Sequence, residues 1–160
     1  MAIIGYYPTG FHTLPAPYVQ AAVFMQRLQV QGLVNFLIDS GADNTTLSLL
    51  DVERMNLDCR KINRKSLIPV EGIAGAQTFY SEQAIIMFRD DNSNTYAFSI
   101  DIHIPKRGDK GKINQQRNLP SLLGRDIVNQ CKLTMDFHSG IIELEPPVGT
   151  KLPAQMQRLI

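Results

Sequence analysis

Along this chain apolar and polar positions alternate far more often than they recur every three or four residues, a pattern that predicts strands. Residues 18 to 28 are apolar and β-prone, with Tyr18, Val19, Ala21, Val23, Phe24 and Met25. A turn near Gln31-Gly32 leads into a second, antiparallel strand over 33 to 38, ending at Asp39. Ser48-Leu49-Leu50-Asp51 has the character of a capping box and opens a short helix through about Met55. Residues 67 to 90 predict a hairpin with its tip at Glu71-Gly72-Ile73-Ala74-Gly75 and its return arm over 79 to 89. After the polar turn Asp90-Asp91-Asn92-Ser93-Asn94, residues 95 to 104 alternate almost strictly, with Tyr96, Phe98, Ile100, Ile102 and Ile104 on one face. Residues 105 to 120 read as a long polar loop, Leu122-Leu123-Gly124 as a short buried strand, and 125 to 130 as a short helix. Residues 132 to 137 and 141 to 144, joined by His138-Ser139-Gly140, predict a terminal hairpin. Residues 1 to 17, with three prolines and no sustained period, read as an irregular arm, and 146 to 160 as a tail. The expectation is one mostly β domain over residues 18 to 145, with one or two short helices.

Composition narrows the function classes. A chain of 160 residues with 44% hydrophobic and 19% charged positions suits one folded domain. Sixteen basic residues against fifteen acidic ones leave a formal charge of +1, which sets up no field favouring nucleic acid or a membrane surface. Lys106, Arg107, Lys110, Lys112 and Arg117 cluster in the predicted polar loop, but no aromatic residues are interleaved to stack on bases. Cys59 and Cys131 are too few and too far apart for a disulfide framework or a zinc site, and are expected as reduced thiols. His12, His103 and His138 show no ligand spacing and read as surface or turn histidines, so no metal or cofactor is expected. The start lacks the basic and apolar blocks of a secretory peptide, and no stretch of eighteen apolar residues occurs, so the expectation is a cytoplasmic protein off the membrane.

The chemistry is concentrated in Phe36-Leu37-Ile38-Asp39-Ser40-Gly41-Ala42-Asp43. Three apolar residues deliver a carboxylate into a Ser-Gly turn, and a carboxylate at a strand end is costly to desolvate unless it is used. Two carboxylates about 3 Å apart share one proton, so that one draws a proton from water while the other polarises a peptide carbonyl. Gly41 leaves room for substrate backbone, Ala42 leaves space below the carboxylate, and the Ser40 hydroxyl is placed to brace the turn. The chain has only one Asp-Ser/Thr-Gly element, so a dyad of this kind requires Asp39 from each of two chains.

Together with Leu122-Leu123-Gly124-Arg125-Asp126, this turn resembles the signature of the retropepsins, the single-domain aspartic proteases of retroviral type. The resemblance runs over about residues 18 to 137. It implies a closed antiparallel β-barrel of the single-domain acid protease type, active as a homodimer on peptide or protein substrates. It implies that Asp39 is catalytic, that Ser40, Gly41 and Ala42 support the turn, and that Gly41, Asp43 and Asn44 bind substrate backbone. It implies a flap at Gly72, Ile73, Ala74 and Gly75 that closes over the peptide, and a structural or dimer role for Arg125, paired with Asp43 beside Gly124.

The sequence departs from the family pattern in three places. Ala74 stands where many flaps have glycine, and the loop over 105 to 120 is longer than viral enzymes usually carry. Viral enzymes end near the position of Phe137 with their termini interleaved in the dimer sheet, whereas this chain continues through Ile141-Ile142-Glu143-Leu144 and a tail. The expected activity is that of an aspartic endopeptidase. The alternatives are a non-catalytic retropepsin-like module that binds peptides or mediates assembly, and a precursor whose arm or tail is removed before dimerisation.

Overall fold

The computed structural model describes residues 1–9, 14–63, 66–72, 75–108 and 110–157. The first strand, β1 (Ile3–Ile4), lies in the segment expected to be an irregular arm; it pairs antiparallel with residues near the far end of the chain, Ile3 opposite Leu144. β2 (Tyr18–Met25) and β3 (Val30–Ile38) form the expected antiparallel pair, with Tyr18 opposite Leu37 and Met25 opposite Val30. Their turn falls at 26–29, where Gln29 takes a positive φ of 54°, and not at Gln31-Gly32. Gly32 lies inside β3 for a different reason: a Cβ there would stand 2.7 Å from the Met55 sulfur, so glycine marks a close approach.

Helix α1 (Leu49–Arg54) starts where the capping pattern places it, with the Ser48 hydroxyl accepting from the Asp51 N–H. β4 (Leu67–Gly72) and β5 (Gly75–Arg89) form the expected hairpin in the register Leu67 opposite Tyr80 through Gly72 opposite Gly75. β5 is fifteen residues long and pairs with β6 (Thr95–Pro105) from Phe79 to Arg89. At Ile85, Ile86 and Met87 its other edge pairs with β2, so β4 and β2 share one edge of β5 in succession.

The segment expected as a loop contains α2 (Lys110–Arg117). Ile113 is its only large apolar residue, so no amphipathic stripe announced it. It is anchored instead by the buried Gln116, whose amide donates to Lys106 O and accepts from Gly108 N–H. β7 (Ser121–Leu123), α3 (Arg125–Val128), β8 (Lys132–Asp136) and β9 (Ile141–Glu145) follow as expected. In the tail, α4 (Ala154–Gln157) follows a strip in which Lys151 bridges Tyr96 of β6.

Among the described residues the chain is thus mostly β, with a three-stranded sheet β1-β9-β8 and a larger one running β4-β5-β2-β3-β7, with β6 on β5. The expected closed antiparallel barrel is not formed by these strands. The path is open between β6 and β7, and β7 joins β3 in parallel, Ile38 beside Leu123. The reason is local: the chain leaving the Asp39 turn contributes only residues 45–47 to that gap before Ser48 caps α1. Thr46 exchanges two backbone hydrogen bonds with Leu122, while Leu47 N–H donates to His103 O and His103 N–H to Thr45 O, at 2.8–2.9 Å. Inward-facing Val19, Val23, Phe36, Ile86, Phe98, Ile102 and Ile104 fill one core between the faces. Phe36 is fully buried, and trimming it to alanine would cost about 3–5 kcal/mol.

Candidate active site

Asp39 leaves the end of β3 in a turn that the sheet itself holds. Its N–H donates to Leu123 O (3.1 Å), extending the parallel β3–β7 pairing by one residue, and Ala42 N–H donates back to Asp39 O (3.2 Å). The side chain is half-buried. Oδ1 accepts from the Gly41 N–H at 2.8 Å, and among the described residues Oδ2 has no hydrogen-bond partner in the protomer. A Cβ at Gly41 would stand 3.1 Å from that Oδ1, so the glycine keeps the oxygen accessible as well as bonded. Ser40 is exposed and makes none of these bonds; the bracing expected of its hydroxyl is done by main-chain groups.

The next residues are clamped by the segment around α3. Arg125 N–H donates to Ala42 O (2.9 Å), Asp126 N–H donates to Asp43 O (3.2 Å), and the Arg125 guanidinium pairs with the Asp43 carboxylate. Gly124 passes so close to the Asn44–Thr45 backbone that a Cβ would lie 2.4 Å from Asn44 C and 2.7 Å from its O. No other residue fits there without moving the loop. Asp39, Ser40, Gly41, Ala42, Asp43, Asn44, Gly124 and Arg125 are therefore brought into one cluster.

Gly72 and Gly75 lie elsewhere, as the last bonded pair of the β4–β5 hairpin, with Gly75 at φ +98°, a conformation that favours glycine. Ile73 and Ala74, expected at the tip, fall outside the described residues.

Two residues that hold the cluster escaped the reading of the sequence. Thr45 is completely buried; its hydroxyl donates to Asp126 Oδ1 (2.7 Å) and accepts from Gly124 N–H (3.1 Å), and its N–H donates to Asp126 Oδ2 (2.9 Å). Asp126 thus fastens the loop after Asp39 to α3. Asp126 closes the Leu122–Asp126 motif in the sequence, but nothing local announces its pairing with Thr45, 81 residues away. His103, expected at the surface, is buried in β6 and stacked on Phe79 with ring centres 5.8 Å apart. Burial holds its pKa below the ordinary histidine value, against the opposing pull of Asp126 and Asp101.

No protein-family model matches the chain, and no curated protein matches it. Solved structures do. One is a retropepsin-like aspartic protease from Rickettsia conorii, with 15% identity over 90% of each chain and a TM-score of 0.45. A likeness of that degree assigns no chemistry to this chain.

Among the described residues, no three His, Cys, Asp or Glu side chains gather as a metal site, and no helix is long and apolar enough to cross a membrane. The Cys131 thiol is pushed up to about 11 by burial, which leaves it protonated and a poor nucleophile at neutral pH. Asp39 is left as the carboxylate of the cluster that has neither a cationic partner nor both oxygens bonded. Asp43 is paired with Arg125, and Asp126 is occupied by Thr45.

Proposed function

We propose that the protein is an aspartic endopeptidase of retropepsin type, in which Asp39 from each of two chains shares a proton and activates the water that attacks a peptide carbonyl. The observation that carries this reading is the state of the Asp39 carboxylate. It is fixed at the end of a core strand by its own main chain, bonded through one oxygen to Gly41 N–H, and left with the other oxygen open. A carboxylate in that condition can bind water, and a second one beside it splits the pair's proton affinities so that one is protonated while the other is ionised. In the reaction the ionised member takes a proton from water as its oxygen attacks, and the protonated member hydrogen-bonds the substrate carbonyl oxygen. The proton gained is then delivered to the leaving amine as the C–N bond breaks.

Gly41, Asp43 and Asn44 supply the floor against which an extended peptide lies, and Gly72, Ile73, Ala74 and Gly75 the cover above it. The peptide binds as an added strand, with Leu37 and Ile73 favouring apolar side chains beside the cut bond. Arg125 and Gly124 act as structural members of the site. The reaction needs no metal or cofactor, and neither nucleic acid nor membrane enters it.

The test is cleavage of a diverse peptide library by the wild type and by Asp39→Asn, side by side, from about pH 4 to pH 7, the range in which such a dyad holds one proton. Cutting by the wild type alone supports the assignment. Equal cutting by both places the activity elsewhere. A second reading, a module that binds peptides without cutting them, draws on the same open site and the single carboxylate per chain. Peptide capture without turnover by a protein shown to be dimeric would establish it.

A further inference from the structure

We propose that His103 is the joint between the root of the β4–β5 hairpin and the clamp on the Asp39 turn, and that a proton gained there loosens the two together. The joint itself involves no peptide. Only its use in admitting substrate beneath the hairpin rests on the protease reading above.

Phe79 stands at the root of the hairpin. It lies opposite Ile68 of β4 on one edge and Pro105 of β6 on the other, and towards the tip the ladder to β6 ends. The His103 ring stacks on the Phe79 ring, with centres 5.8 Å and planes 26° apart. The main chain of His103 serves the other side. Its N–H donates to Thr45 O and its O accepts from Leu47 N–H, both at 2.9 Å. The Thr45 hydroxyl and N–H are held by the Asp126 carboxylate, and Asp126 N–H in turn donates to Asp43 O. One residue thus props the hairpin with its side chain and ties the clamp with its backbone.

The ring is suited to change state. His103 is 8% exposed, and among the described residues its ring nitrogens have no hydrogen-bond partner. A neutral imidazole tolerates such a place, whereas an imidazolium brings a charge and two N–H donors into a site with no acceptor waiting. Phe79 and Ser81 on β5, and Thr45, Thr46 and Leu47 on the strip, carry no charge. The charged groups that act on the ring are Asp126 of α3 and Asp101 of β6 itself; both favour the proton, and burial outweighs them. Asp126 is already committed to Thr45. An imidazolium drawn to Asp126 therefore competes with the clamp, and one drawn to water leaves Phe79. Either movement loosens the joint. The sign follows from linkage: the loosened form takes the proton at the ordinary histidine value of 6.5, the packed form only at lower pH. Loosening becomes easier as pH falls below that ordinary value, and the gain levels off once the packed form is protonated too.

The test is hydrogen exchange read by mass spectrometry on the peptide-free protein at about pH 7 and about pH 5, corrected for intrinsic exchange rates. In the wild type, protection over residues 76–80 and 45–47 is expected to fall by about threefold or more at the lower pH, relative to β2 and β3. His103→Leu and His103→Gln, neither of which can charge, are expected to abolish that difference. A merely structural role would lower protection equally at both pH values in the variants and leave the wild type without a difference. Equal protection of the wild type at both pH values overturns the joint, as does a difference that survives in both variants. Neither result touches the protease reading, because no peptide takes part. Conversely, a pH-dependent joint in a protein that cuts no peptide sinks the protease reading alone.

Discussion

Two carboxylates close two strands in this molecule, and they are treated in opposite ways. Asp90, at the end of β5, is buried and accepts four hydrogen bonds: from Asn92 N–H (2.9 Å), Asn94 N–H (2.7 Å), the Asn94 side chain (2.8 Å) and the Tyr96 hydroxyl (3.1 Å). Burial alone would raise its pKa, but the bonds from Asn94, Tyr96 and Asn92 outweigh it and hold the group below the usual carboxylate range. Asp39, at the end of β3, is half-buried, and its carboxylate accepts one bond, the other oxygen having no partner among the described residues. A carboxylate whose lone pairs are all taken is a structural part. One that is held rigid by its backbone and left half-satisfied is available for chemistry. The two turns look equally polar in the sequence; the difference lies in what their side chains meet.

The sharpest way to break that comparison is to neutralise each carboxylate and read both activity and stability. Asp39→Asn is expected to lower peptide cleavage by about 10³-fold or more, with the melting temperature unchanged. Asp90→Ala is expected to do the reverse, costing about 2–3 kcal/mol in urea unfolding because Asn94 and Tyr96 lose their acceptor. Peptide cleavage at 25 °C by the remaining folded protein is expected to stay at the wild-type rate. A loss of stability in Asp39→Asn as large as that in Asp90→Ala would erase the distinction.

Gly124→Ala lies between the two. A methyl group driven into the Asn44 backbone is expected to cost about 1–3 kcal/mol and to lower cleavage as well, since the displaced loop carries the Asp39 turn. The smallest effect is the pH dependence. Asp90 has its pKa lowered by folding, so its contribution is present above the ordinary carboxylate range and is lost as pH falls through the folded value; Asp90→Asn is expected to flatten the acid limb of the stability curve. His103 also has its pKa lowered, but as a base. The folded state disfavours its charged form, and stability declines as pH falls below its ordinary value of 6.5. His103→Leu is expected to remove that slope at mildly acid pH while leaving the Asp90 limb in place.

How far the sequence foretold all this differs from element to element. The alternating run in β6 and the capped start of α1 were legible because their causes are local, a period of two and a Ser–Asp spacing. The Asp39 turn was legible because its residues are consecutive and its bonds are local. Three other features depended on partners distant in the chain. Gly32 carries the same letter as a turn glycine, and only Met55 reveals that it is a close approach within a strand. Helix α2 lacks an apolar stripe and is held by a buried glutamine and by Arg117 on Glu53 of α1. Ile3 and Ile4 pair with a strand about 140 residues later, which no local pattern can announce. For the same reason the bridging of β6 and β7 by residues 45–47 could not be read from their own composition.

The unequal length of the strands around β5 has a consequence for the hairpin. From Phe79 onward β5 is flanked by β6, but from Gly75 to Gln77 it is paired with β4 alone. That outer part is a two-stranded ribbon extending past the end of β6, like a springboard clamped at one end. A ribbon of this kind is marginal by itself. Its resting position is therefore decided by whatever lies under it; on the proposal that it covers a peptide, the peptide itself supplies the grip that holds it down.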